Sequence, residues 1–227
     1  KHAEAESAAR QALDIYRSLY GDEHQRVALA MGDLASMLLA QGKLVEAERL
    51  HRDVLAIRER VLVPGHIEIA SSYNSLGQIL EQQGRGASSE QMYRRALDVV
   101  AKGAGVDSPE GAVFTANLGG LLLNEGRLAE AEKAMRVALE IQRRRLPALH
   151  ASTAVTLTTL GILLTRSGRT TDAEPILAEA LKIRTTLLDS KHWAIQVTRS
   201  AYGDCLAKLG RPAEAEPLLT TSAEELS

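Results

Sequence analysis

The sequence predicts an all-α fold, an α-solenoid of eleven helices, and three observations carry that expectation. Glycine returns at Gly42, Gly84, Gly126, Gly168 and Gly210, each 42 residues after the last. Apolar residues make up 45% of the chain but aromatics only 3%, so Ala, Leu, Val and Ile carry the hydrophobic content. That composition suits helices more than sheets. On both sides of Gly126 the apolar positions follow helical spacing, with Leu118, Leu121 and Leu122 before it and Ala131, Met135, Ala138 and Leu139 after it.

Each repeated glycine reads as the left-handed stop of a helix A, followed by a tight turn into a helix B. The A helices are expected at 27–41, 69–83, 111–125, 153–167 and 195–209, and the B helices at about 44–62, 86–102, 128–146, 170–188 and 212–225. Lys1 is the row-equivalent of Lys43, so a leading B helix fills residues 1–20. Gly21, Pro64, Gly105, Pro147 and Asp189 close the B helices. The expected organisation is one solenoid domain over 1–227, with a lone B helix and turn at 1–26 and helix pairs at 27–68, 69–110, 111–152, 153–194 and 195–227. The missing first A helix and the absent initiator Met read as an excised piece, with further repeats or domains N-terminal to it. The lone helix is expected to expose Ala5, Ala9, Ala12, Leu13 and Tyr16.

Rows of 42 residues align Leu34, Leu76, Leu118, Leu160 and Tyr202 in one column and Ala35, Gly77, Gly119, Gly161 and Gly203 in the next. Glycine inside a helix costs about 1 kcal/mol relative to alanine, so close approach of a neighbouring helix must require smallness there. A second small column, Ala5, Ala47, Ala131, Ala173 and Ala215, is interrupted by Ser89. Gly103 and Ala104 stand where another row has Arg145 and Leu146, which predicts a weak point around residues 101–109.

A net charge of −2 gives no electrostatic reason to expect nucleic acid or an anionic membrane as partner. The single cysteine excludes an internal disulfide. Cys205 shares a column with Met37, Ile79, Leu121 and Leu163 and reads as a core residue. No apolar run approaches the ~18 residues of a membrane span, and a cytoplasmic protein is expected. His24, His66, His150 and His192 form a column completed by Ser108. One histidine per repeat cannot converge within ~2.1 Å of one ion, so they read as turn residues bonding backbone near the start of each helix A. His51 reads as a core-edge histidine. With no phosphate loop, dinucleotide fingerprint or zinc motif, no enzyme activity, cofactor or metal is expected. Arg143, Arg144 and Arg145 read as a solvated face at a helix C-terminus.

The pattern N-L-G-x-L-L-x-x-x-G-R-L-x-E-A-E of residues 117–132, followed by A-L-E-I at 138–141, resembles the tetratricopeptide repeat. The 42-residue period, the long B helix and the histidine before the next helix A resemble the kinesin-light-chain type. The resemblance implies a right-handed α-solenoid whose A helices line a concave groove. Carried onto this chain, it implies a peptide-binding face containing Asn74, Gln78, Asn117, Asn124, Thr158, Arg166 and Asp204. Asn117 matches the groove asparagine of the kinesin-light-chain pattern and Asn74 sits one residue off it, while the lysine–arginine carboxylate clamp of chaperone-binding relatives is absent. The function expected is a non-enzymatic interaction module that holds a peptide or protein segment, with neither nucleic acid nor membrane as partner. A regulatory arm of a longer ATPase or protease and a self-assembling scaffold are the alternatives.

Overall fold

The computed structural model describes residues 2–226, with the side chains of 4–222, so Lys1 lies outside the described residues. Among them it holds eleven helices and no strand: α1 (His2–Tyr20), α2 (Gln25–Ala40), α3 (Leu44–Val61), α4 (Ile67–Gln82), α5 (Gly86–Lys102), α6 (Pro109–Asn124), α7 (Leu128–Arg145), α8 (Ala151–Arg166), α9 (Thr170–Leu187), α10 (Trp193–Lys208) and α11 (Pro212–Leu226). This is an all-α helical-repeat fold. The chain divides within α6 into two compact units, one up to Asn117 and one from Leu118 onward. No described helix is long and apolar enough to cross a membrane.

The even-numbered A helices begin two residues before their expected starts, and the histidine column explains why. His24, His66, His150 and His192 are N-caps whose Nδ1 accepts from the backbone N–H two residues on, at 3.1, 3.2, 3.1 and 3.2 Å. Each imidazole thereby satisfies one of the donors that a helix N-terminus leaves without a partner. Ser108 does the same for Gly111 N–H at 3.1 Å, with Pro109 in the first helical position. At the other end, Gly126 takes φ +77°, and Arg127 N–H and Gly126 N–H donate to the Leu122 and Leu123 carbonyls at 2.9 and 3.1 Å. The same crossed pair of bonds closes α2, α4, α8 and α10.

The buried glycines show what the tight column is for. A Cβ on Gly161 would lie 2.4 Å from Leu177 Cγ, one on Gly77 2.6 Å from the Tyr93 ring, and one on Gly119 2.9 Å from Met135 Cε. Helices α5, α7, α9 and α11 thus each drive a large side chain onto the glycine sixteen residues earlier. Ser89, the interruption in the alanine column, donates its hydroxyl to the Gly77 carbonyl at 2.8 Å. Gly103 also proves necessary, because its Cβ would sit 2.0 Å from the Gly65 carbonyl oxygen. The region read as missing packing therefore contains a close backbone contact, and α5 ends one residue before its row-equivalents.

Helix α1 departs from the expected exposure of Leu13. That side chain is only 4% exposed, because it joins the core that α2 and α3 build around Leu34, Leu38 and Val54. Ala5 and Tyr16 are exposed as expected, Ala9 and Ala12 are half-buried, and Ile15, Leu19 and Tyr20 are exposed beside them.

Between successive B helices runs an ion-pair column that the apolar pattern does not reveal. Lys43 pairs with Glu6, Arg85 with Glu48, Arg169 with Glu132 and Arg211 with Glu174, at 2.7, 3.0, 2.9 and 2.5 Å. The cation always stands just after the turn glycine. Hydrogen bonds from Lys43 and then Arg10 hold the Glu6 carboxyl at about 2. Arg143 likewise pairs with Glu179 at 2.7 Å. Arg58 reaches from α3 to the first turns of α4, donating to the Glu68 carbonyl at 3.1 Å and to Ser72 Oγ at 2.8 Å, and Arg184 reaches from α9 to the Ala194 carbonyl.

Two expected outcomes follow from this packing. Gly161→Ala gains up to about 1 kcal/mol of helix propensity but overpacks Leu177 at its branching carbon, a cost of about 1–3 kcal/mol, so urea unfolding should show a net loss. Gly120→Ala, where a Cβ meets nothing within 4 Å, should raise stability. Equal effects of the two changes would refute the steric reading.

The second outcome concerns His51, which is buried, with its imidazole pushed down from 6.5 to about 4 by that burial and then by the Arg58 charge. Its folded pKa lies below its unfolded value, so its contribution is complete above pH 6.5 and is lost as pH falls toward 4. The slope is about 1.4 kcal/mol per pH unit. Ala35 replaces the glycine of this row, so Ala35→Gly with His51→Leu rebuilds the Gly161–Leu177 arrangement. Urea midpoints between pH 7 and 4.5 should show a shallower dependence in that double variant.

Candidate peptide-binding faces

In the unit up to Asn117, the expected face lies on α4 and the first half of α6. Asn117 Nδ2 donates to Asn74 Oδ1 at 2.8 Å, joining the two A helices. Asn74 is only 9% exposed, while Asn117 and Gln78 are half-buried. The amide pair therefore serves first as an interhelix bond. It uses one hydrogen of Asn117 and leaves that residue's carbonyl oxygen without a hydrogen bond among the described residues.

In the unit from Leu118 onward, Thr158 does not face outward. It is 3% exposed, and its hydroxyl donates to the Ala154 carbonyl at 2.8 Å and stands 3.1 Å from Thr198 Oγ1. This threonine pair bridges α8 and α10 much as the asparagine pair bridges α4 and α6. Arg166 and Asp204 are exposed and come together at one cleft of about 420 Å³. Its sides are apolar at Ile162, Val197 and Ala201, and Lys208 completes its charged end, paired to Asp204 at 2.8 Å. Asn124 ends α6 on the exposed surface. It occupies the row position of Arg166 and Lys208.

One residue of this face was not legible as a site residue. Trp193, the sole tryptophan, opens α10 and is 64% exposed. At 3.6 residues per turn, Trp193, Val197, Ala201, Asp204 and Lys208 fall on one stripe of α10. The only signal was its column, where Gln25, Ile67, Pro109 and Ala151 precede it without an aromatic.

Cys205 is buried, its Sγ 3.4 Å from the Thr170 carbonyl, and burial pushes its thiol up. The histidines of the periodic column spend Nδ1 on helix caps. No group of three or more described His, Cys, Asp or Glu side chains is placed to hold a metal ion.

A tetratricopeptide-repeat family model matches residues 1–60, 27–102, 109–186 and 152–224. The chain belongs to the tetratricopeptide-repeat family. Among solved structures it is similar to BtubC (BKLC) from P. vanneervenii, with 20% identity and a TM-score of 0.82 over 99% of this chain and 91% of that one. A putative kinesin light chain from Podosopora anserina with nearly identical repeats gives 20% identity and a TM-score of 0.70 over 89% of this chain and 96% of that one. The Cut9–Hcn1 hetero-tetramer of the APC/C gives 13% and 0.74, over 97% of this chain and 36% of that one. At such identities the likeness shows the fold. No curated protein matches the sequence. Tetratricopeptide repeats are a general protein-interaction fold and typically a non-catalytic scaffold.

Trp193 turns this geometry into a measurable expectation. Its emission should resemble that of indole in water and be quenched readily by iodide. A blue-shifted, iodide-resistant emission would show that the ring is packed away from the α10 stripe.

Proposed function

We propose that this chain is a non-enzymatic binding module that holds a peptide or protein segment against its A helices. The α8–α10 cleft carries the reading, because it joins apolar sides to charged groups that can orient a bound chain. On the B helices, by contrast, many charges are committed to ion pairs. A ligand backbone would find an acceptor in Asn117 and an amide in Gln78 on the unit up to Asn117, or a cation and a carboxylate in Arg166 and Asp204 on the unit from Leu118 onward. Asn74 and Thr158 support these groups by tying neighbouring A helices together.

A second reading rests on Ile15, Leu19 and Leu29, which are exposed on α1 and α2. Stacking of these surfaces would make the chain self-assemble, and light scattering at rising concentration would reveal it.

The proposal is tested by selecting binders from a displayed peptide library with the intact chain, then titrating them while following Trp193 emission. Replacing Gln78, Asn117, Arg166 and Asp204 together by Ala should weaken binding by about 1 kcal/mol for each lost bond, with an unchanged helical circular dichroism spectrum. Undiminished affinity in the quadruple variant would remove the A-helix faces from consideration.

A further inference from the structure

A larger cleft, of about 510 Å³, lies in the unit up to Asn117, between α3 and α5 with α4 as its floor. It belongs to a different face from the asparagine pair, since Tyr73 and Asn74 leave α4 about 100° apart. The floor is apolar at Ile69, and the walls are apolar at Leu62 and Val99. At the position of Val99 the other B helices carry Ile57, Ile141 and Ile183, so α5 is trimmed by a carbon here. Gly65 and Gly103 bring the turn after α3 against the end of α5, close to Lys102.

The polar groups of the cleft are arranged by sign. Glu59 stands on the α3 side, oriented by the Tyr73 hydroxyl, which donates to its Oε1 at 2.6 Å. The α5 side bears Arg95, Asp98 and Lys102, a net positive wall, with the Arg95 guanidinium 5.9 Å from the Tyr73 ring centroid. One wall is thus negative and the other positive overall, with the Tyr73 hydroxyl between Glu59 and Arg95 and apolar surface beside them at Leu62, Ile69 and Val99. The volume falls in the range of small-molecule sites, about 300–1,000 Å³.

We propose that this cleft binds a short peptide with free termini and apolar side chains, a di- or tripeptide. Its carboxylate meets Lys102 in a charge-assisted hydrogen bond, its ammonium meets Glu59, and its side chains cover Leu62, Ile69 and Val99. Length is limiting, because a cleft of about 510 Å³ has room for only a few residues.

Isothermal titration calorimetry of the full chain with Leu-Leu, N-acetyl-Leu-Leu and Leu-Leu-amide tests this. Leu-Leu should bind, and each capped form should bind at least tenfold more weakly. Val99→Phe should abolish binding by filling the space. Glu59→Gln, which keeps an acceptor for the Tyr73 hydroxyl, should reduce Leu-Leu to the level of its N-acetyl form, with circular dichroism unchanged. The proposal is overturned if millimolar Leu-Leu gives no binding heat, if the capped peptides bind equally well, or if folded Glu59→Gln binds Leu-Leu as the native chain does.

Discussion

The close crossing of each helix A with the helix B that follows it is the contact on which the other features depend. A glycine on the first helix receives a large side chain from the second: Gly77 receives Tyr93, Gly119 receives Met135, Gly161 receives Leu177 and Gly203 receives Leu219. The separation of sixteen residues leaves little freedom for the turn between them. The crossed hydrogen bonds at Gly42, Gly84, Gly126, Gly168 and Gly210 then end helix A where helix B must begin. The tightness of the crossing is also visible in its exception. Ser89 carries a hydroxyl into the buried alanine column, where the Gly77 carbonyl accepts its hydrogen bond.

Once the hairpins are set, the two helix types face different demands. B helices are joined along the chain by Glu–Lys and Glu–Arg pairs, each worth little by itself at an exposed position. Their regular recurrence nevertheless gives the cation of four turns a carboxylate partner on the preceding helix B. A helices are joined more quietly, by the Asn74–Asn117 amides and the Thr158–Thr198 hydroxyls. These small groups leave the outer stripe of each helix A free to vary, and there Trp193, Arg166 and Asp204 accumulate. Variation confined to a surface that packing does not dictate is the arrangement expected of a binding scaffold.

Most of the fold was legible because its causes are periodic. The 42-residue glycine spacing, the small columns and the capping role of the histidines all recur, and the structure realises each with the same bonds in nearly every row. The A-helix starts were misplaced by two residues because the apolar pattern begins inside the helix, whereas the imidazole cap lies before it. Thr158 looked like a groove residue because composition alone does not tell a hydroxyl aimed at a neighbouring helix from one aimed at solvent. The Glu6, Glu48, Glu132 and Glu174 column was equally periodic. It passed unnoticed because charged positions on a helix B read as a solvated face until their partners 37 residues later are known.

What a period cannot encode is chemistry that belongs to one row. Repeated columns record constraints shared by every hairpin, so a site that exists once must appear as a departure from them. Some departures are compensated within the row: Ala35 faces a histidine where other rows pair glycine with an aliphatic or aromatic side chain, and Gly103 answers the Gly65 carbonyl. Others have no such answer in packing. Val99 opens a wall where isoleucine would narrow it, Trp193 leaves the largest side chain of the chain in solvent, and Arg95 stands beside Tyr73 where the corresponding residues elsewhere are Asp53, Val137 and Glu179. In a fold whose stability is the sum of nearest-neighbour contacts, a residue whose identity those contacts do not dictate is free of the constraint that made the columns. Such residues are where the sequence has room to specify a ligand.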